Sequence, residues 1–201
     1  MEHVLELGRV HPVLTFPAPG RAEPAADAAA DAKAHLAATI RAAAAGDRDA
    51  FAHLYADYSR MVHAILLGRV PHRDVDDLVQ DVFLAAYTRI RELRDPVAFG
   101  GWLATIARNR ATDYFRRSHE QVEMPPDMPG GDPIDVETFA ILDVVRKLPD
   151  AYRETVLMRL VEGMSGAEIA DRTGLTPASV RVNLHRGMKL LREKLGWTGH
   201  E

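Results

Sequence analysis

The stretch FGGWLATIARNRATDYFRR, residues 99–117, sets Arg108, Arg110, Arg116 and Arg117 beside Asn109, with Trp102, Tyr114 and Phe115 interleaved. Guanidiniums hold phosphates, an amide reads a base edge, and an aromatic ring stacks on an unpaired base. The mixture therefore fits single-stranded nucleic acid, whose bases expose edges that a duplex hides. At helical spacing Leu103, Ile106, Ala107, Ala111 and Tyr114 share one stripe, which leaves Thr105, Arg108, Asn109, Thr112 and Arg116 on or near the open face. Trp102 stands at the start of that helix and suits a core position as well as a base. Arg110 and Asp113 have the spacing of an ordinary pair along a helix.

A second basic face lies near the C-terminus. Val180, Leu184, Gly187, Leu191 and Leu195 recur at three- and four-residue steps, and the opposite side carries Arg181, His185, Arg186, Lys189 and Arg192. A helix of this kind suits the major groove, where an arginine pairs two donors with guanine and other basic groups hold phosphates. Taken alone, such a run reads first as a solvated face on an ordinary amphipathic helix. Its surroundings favour the groove: Ser165-Gly-Ala-Glu168 has the Ser-x-x-Glu form of a capping box, Gly174 breaks the short helix that follows, and Thr176-Pro177 starts the next as cap and first helical residue. A short helix, a glycine turn and a capped second helix make a helix-turn-helix.

The third stretch is DVDDLVQDVFLAAY, 74–87, in which Val75, Val79, Val82 and Ala86 point inward while Asp77, Gln80 and Asp81 project together. Clustered carboxylates raise the question of a metal. No histidine stands at ligand spacing nearby, and exposed carboxylates on a helix more often cap it or meet a basic partner. No nucleophile and base can be assembled anywhere in the chain, so no catalytic residue, metal site or cofactor is expected.

The elements that position these faces are helical throughout. AADAAADAKAHLAATIRAAAAG has strong helix propensity and stops at Gly46. Asp47 opens a second helix with Phe51, Leu54, Tyr55, Tyr58, Val62 and Ile65 in one stripe, Asp74 opens a third, and Asp95-Pro96 a fourth. After residue 135 come a helix from Val136 to Leu148, another from Pro149-Asp150, and the helix-turn-helix. Between the two sets, HEQVEMPPDMPGGDPID, 119–135, has four prolines, a Gly-Gly pair and five carboxylates, the composition of a flexible connector. The reading is all-α: an N-terminal extension over 1–36, largely disordered, one small helical domain over 37–118, the connector, and a second helical domain over 136–197.

Composition narrows the function further. The 201 residues carry 25 basic and 29 acidic side chains, a net charge of -4, which argues against a protein that coats nucleic acid indiscriminately. The acid is unevenly placed: the connector has five acidic residues and no Lys or Arg, whereas 37–118 has twelve basic against ten acidic and 136–201 ten against nine. Cysteine is absent, which excludes disulfides and thiolate zinc sites and fits a reducing compartment. No run approaches a membrane span and the N-terminus lacks a signal-peptide pattern, so a cytoplasmic protein without membrane insertion is expected.

In this order, GDRDAFAHLYADY, DVDDLVQDVFLAAY, FGGWLATIARNRATDYFRR and LPDAYRETVLMRLVEGMSGAEIADRTGLTPASVRVNLHRGMKLLREKL resemble a bacterial sigma factor of the extracytoplasmic-function group of the sigma-70 family, over roughly residues 37–197. The resemblance implies a transcription initiation factor that binds core RNA polymerase, at the β′ clamp helices and the β flap, and directs it to promoters. It assigns Asp77, Gln80 and Asp81 to the clamp. It assigns the non-template strand of the minus-10 element to Trp102, Arg108, Asn109, Thr112, Asp113, Arg116 and Arg117, with Asn109 the foremost base reader. The minus-35 duplex falls to Thr176, Ser179, Arg181, Val182, His185, Arg186 and Lys189. An anti-sigma factor is an expected regulator. The competing reading is a stand-alone helix-turn-helix regulator that binds a palindromic duplex unaided.

Overall fold

The computed structural model describes residues 26–120 and 136–196. Among them are eight α-helices and no strand: α1 (Ala26–Ala44), α2 (Arg48–Leu67), α3 (Val75–Arg89), α4 (Phe99–Glu120), α5 (Val136–Arg146), α6 (Asp150–Leu160), α7 (Gly166–Thr173) and α8 (Pro177–Leu195). Two boundaries differ from the sequence reading. The alanine-rich helix begins at Ala26, so the division at residue 36 cuts an element that propensity keeps whole. Helix α4 continues to Glu120, two residues into the segment assigned to the connector, while 121–135 and the first 25 residues lie outside the described part.

Local chemistry sets the helix ends. Asp47 accepts from the backbone N–H groups of Asp49 and Ala50 at the start of α2, and Gly46 before it takes φ 101°, a conformation that a side chain would strain. Asp95 caps a short 3₁₀ turn, Pro96–Ala98, which then feeds α4. Asp74 departs from expectation: it stands at the start of α3 without capping it, and its carboxylate accepts a hydrogen bond from the Tyr114 hydroxyl at 2.8 Å, tying α3 to α4.

Helices α2, α3 and α4 pack on one another, with α1 laid across α2. Met61, Val62, Ala64, Ile65 and Leu66 of α2 are wholly buried against Val82 and Ala86 of α3 and Leu103 and Ala107 of α4. The second domain packs α8 across α6, with α5 and α7 beside them. Gly187 permits the close approach: a Cβ there would stand 2.6 Å from Val156 Cγ2 and 3.2 Å from Tyr152 Cβ.

The two domains also share a packed boundary, which the sequence pattern did not foretell. Helix α6 lies on α2, and α7 touches both α2 and α4. Gly100 is the tightest point: a Cβ at that position would sit 1.9 Å from the Arg172 carbonyl oxygen.

Candidate nucleic-acid and polymerase interfaces

The helix-turn-helix is assembled as its caps dictate. Ser165 and Glu168 form both bonds of a capping box, Gly174 ends α7 at φ 74°, and the Thr176 hydroxyl accepts from the Ser179 N–H at 3.1 Å to begin α8. Val180, Gly187 and Leu191 are buried, and Arg181, Val182, His185, Arg186 and Lys189 are all exposed on the other side. Thr176 and Ser179 spend their hydroxyls largely on one another, 2.8 Å apart, so their first role is to fix the helix start. Arg186 stands 3.4 Å from the Tyr152 hydroxyl, a contact loose enough to give way to a base.

Helix α4 places its residues differently. Leu103, Ile106, Ala107 and Ala111 are buried as the periodicity requires. Thr105, Asn109, Thr112, Arg116 and Arg117 are exposed and lie on successive turns. Trp102 is half-buried, packed on the core with its ring 5.8 Å from that of Phe99, so most of its surface serves the fold. Arg116 pairs with Asp113 at 3.2 Å, and this replaces the expected Arg110–Asp113 pair; the three-residue step toward the C-terminus is the one taken. Asp113 thus meets a cation within its own helix.

Arg108 is the exception on this face. Its Nε donates to Glu154 Oε1 at 2.9 Å and its Nη2 to Glu154 Oε2 at 2.7 Å, a bidentate pair with the second domain. Arg69 donates to the same Glu154 Oε1 at 2.8 Å and to Asp150 at 2.9 Å. Burial would raise the Glu154 carboxyl, but the hydrogen bonds and charges of Arg108 and Arg69 outweigh it and hold the group below the usual carboxylate range.

On α3 the predicted trio Asp77, Gln80 and Asp81 is exposed and Val75, Val79, Val82 and Ala86 are buried, as expected. Three exposed apolar side chains of this domain were missed. Leu84, 64% exposed, follows Gln80 and Asp81 by four and three residues on the same face. Tyr55, which helical spacing puts in the α2 stripe, is 41% exposed with its ring 4.5 Å from that of Phe83, and Tyr87, 39% exposed, packs against Phe51. Helical spacing alone could have flagged Leu84, whereas Tyr55 sits at the stripe's edge, where period does not separate packed from open positions. No group of three or more His, Asp or Glu able to hold a metal occurs among the described residues, and none of their helices is long and apolar enough to cross a membrane.

Comparison with known proteins assigns this architecture. Residues 54–120 match the family model of Sigma-70 region 2 and residues 138–191 that of Sigma-70, region 4. The ECF RNA polymerase sigma factor BldN of Streptomyces coelicolor is 32% identical over 184 residues, 84% of this chain and 67% of that protein. The RNA polymerase sigma factor CarQ of Myxococcus xanthus is 32% identical over 75% of this chain and 92% of its own length. Among solved structures, CnrH in complex with the cytosolic domain of CnrY superposes with TM-score 0.54 at 28% identity, over 84% of this chain and 100% of that one.

Proposed function

Because the chain belongs to the sigma-70 family of RNA polymerase sigma factors, in its extracytoplasmic-function group, and is a transcription initiation factor that directs core polymerase to promoters, we propose the following division of that work among its surfaces. Helix α8 enters the major groove of the minus-35 duplex with Arg181, Val182, His185 and Arg186 toward base edges and Lys189 toward phosphate, Thr176 and Ser179 fixing its N-terminal end. Helix α4 holds the minus-10 non-template strand: Asn109 reads a base, Arg108 and Thr112 border it, Arg116 and Arg117 take backbone phosphates, Asp113 orients Arg116, and Trp102 supports the helix start. Asp77, Gln80 and Asp81 meet the polymerase clamp, with Leu84, Tyr55 and Tyr87 supplying an apolar centre to an otherwise charged contact.

The observation that carries this reading is the α8 geometry. Five side chains suited to base and phosphate contact are exposed on the side opposite Val180, Gly187 and Leu191, on a helix whose start is set by the Thr176 cap. The chain acts by binding and contributes no covalent step. Polymerase supplies most of the DNA affinity, and two small reading surfaces on one chain add effective concentration. Capturing an unpaired base on α4 offsets unstacking, about a few kcal/mol per base, so that binding and melting become one event. The cytoplasm, where polymerase works, is its compartment. An anti-sigma factor is its proposed regulator; the similar structure of CnrH is of a complex with the cytosolic domain of another protein, CnrY.

In vitro transcription with purified core polymerase tests the assignment. Arg186→Ala should lose initiation chiefly on promoters with an intact minus-35 element, by the ~5- to 160-fold that a base contact of about 1–3 kcal/mol implies. Equal loss on templates lacking that element would remove α8 from the duplex. Asp81→Arg should weaken the complex with polymerase about 10-fold or more through like-for-unlike charge, and unchanged affinity would remove it from the docking surface.

A further inference from the structure

Of the candidate base readers on α8, Arg186 is the one with a hydrogen-bond partner on another helix. Its Nη1 donates to the Tyr152 hydroxyl of α6 at 3.4 Å, whereas Arg181 and His185 have no side-chain partner among the described residues. Tyr152 is half-buried, stands in the first turn of α6 and belongs to neither helix of the helix-turn-helix.

The backbone on both sides of this contact is fixed. The Tyr152 N–H donates to the Pro149 carbonyl at 3.0 Å, and the Tyr152 carbonyl accepts from the Thr155 hydroxyl at 3.0 Å. Helix α8 lies directly on this turn: a Cβ at Gly187 would stand 3.2 Å from Tyr152 Cβ and 3.5 Å from the Tyr152 carbonyl oxygen. The residue next to Arg186 is therefore pressed against the root of the tyrosine. From that root the phenol, a rigid ring on two torsions, reaches the guanidinium.

The chemistry of the pair suits aiming better than holding. A guanidinium carries five N–H donors, and a bidentate guanine contact uses two of them. One given to Tyr152 leaves enough for a base. The phenol is neutral, so the arginine keeps its full charge for DNA, which a carboxylate partner would cancel. At 3.4 Å the bond is long, so it directs the side chain without competing strongly for it.

Resting on the assignment of Arg186 to a base edge of the minus-35 duplex, we propose that Tyr152 is a positioning residue for that arginine. Its hydroxyl, from α6, orients the Arg186 guanidinium before DNA arrives. Discrimination at the base pair that Arg186 meets is thus set by two helices, while Arg181 and His185 read from α8 alone.

Holoenzyme made from core polymerase and the full-length chain, bound to a promoter pool randomised across the minus-35 element, tests this when the bound fraction is sequenced. Arg186→Ala should flatten the preference at one or two adjacent base pairs. Tyr152→Phe removes one oxygen and keeps the ring against Gly187. It should lower the preference at those same base pairs by about 3- to 10-fold, the effect of leaving one long side chain to be ordered on binding. The rest of the profile and the Tm should stay as in the wild type. In the Arg186→Ala background, Tyr152→Phe should change nothing further, because a residue that acts only through Arg186 has nothing left to act on. A wild-type profile for Tyr152→Phe would overturn the proposal. So would an even loss over all sequences, which marks a phosphate contact or a packing role, or a further loss in the Arg186→Ala background. If Arg186→Ala itself keeps the wild-type profile while binding polymerase normally, the base-reading assignment of Arg186 fails and the tether falls with it; a change in Arg186→Ala without one in Tyr152→Phe removes the tether alone.

Discussion

Helices α4 and α8 are the two candidate DNA-facing helices of the molecule, and they are held in opposite ways. Helix α8 packs one face on its own domain and leaves Arg181, Val182, His185, Arg186 and Lys189 exposed. Helix α4 packs on α2 and α3 and then receives α7 and Glu154 from the second domain, so that one of its arginines has an acidic partner before any DNA arrives. A surface for duplex can stand open without harm, because weak duplex binding is reversible and salt-sensitive.

The largest effect separating the two helices should come from their buried faces. Leu103→Ala in α4 removes a side chain with no exposure from the centre of the first domain and should cost about 2–5 kcal/mol, read by urea unfolding. Leu184→Ala in α8, where the side chain is only partly buried, should cost clearly less, and equal losses would mean that α8 is as central as α4. Next is Asn109→Ala, expected to slow open-complex formation on duplex promoters by ~10-fold or more while sparing binding to a template already unpaired at minus 10; permanganate footprinting distinguishes the two. Thr176→Ala removes the α8 cap and should lower the stability of the second domain by about 1 kcal/mol, seen as a lower Tm, with the first domain unchanged.

The smallest effect is one of pH. The hydrogen bond that the His63 imidazole donates to the Glu162 carboxylate is the main influence raising the ring above its ordinary 6.5; burial opposes it, and the Glu162 and Asp76 charges add to it. A raised value means that the protonated ring favours the packed boundary in which it meets Glu162. That contribution is complete below about pH 6.5 and is lost as pH rises through the raised value, so stability to urea should fall modestly as the solution is made more alkaline than that. His63→Gln should flatten that slope. Glu154 works at the other end: its lowered value makes its contribution present above the ordinary carboxylate range and lost only in acid.

Much of this was legible in the residues. The stripes of α3, α4 and α8 are buried or partly buried where their spacing places them, and the capping box, Gly174 and Thr176-Pro177 set the helix-turn-helix ends, because period and capping are properties of neighbours a few residues apart. Tyr55 and Asp74 went astray for a related reason. Each lies at an element's margin, where a distant ring or hydroxyl, Phe83 for one and Tyr114 for the other, decides the side chain's partner.

Periodicity, caps and composition were enough to define the helices, their apolar faces and the basic faces opposite, since each depends on interactions along a single turn or two of chain. The meeting of Arg108 with Glu154, 46 residues apart, and of Gly100 with Arg172 came from the packing of one finished domain on another. Such contacts join surfaces whose separate patterns read as ordinary solvated charge, and only their juxtaposition removes them from water and couples them.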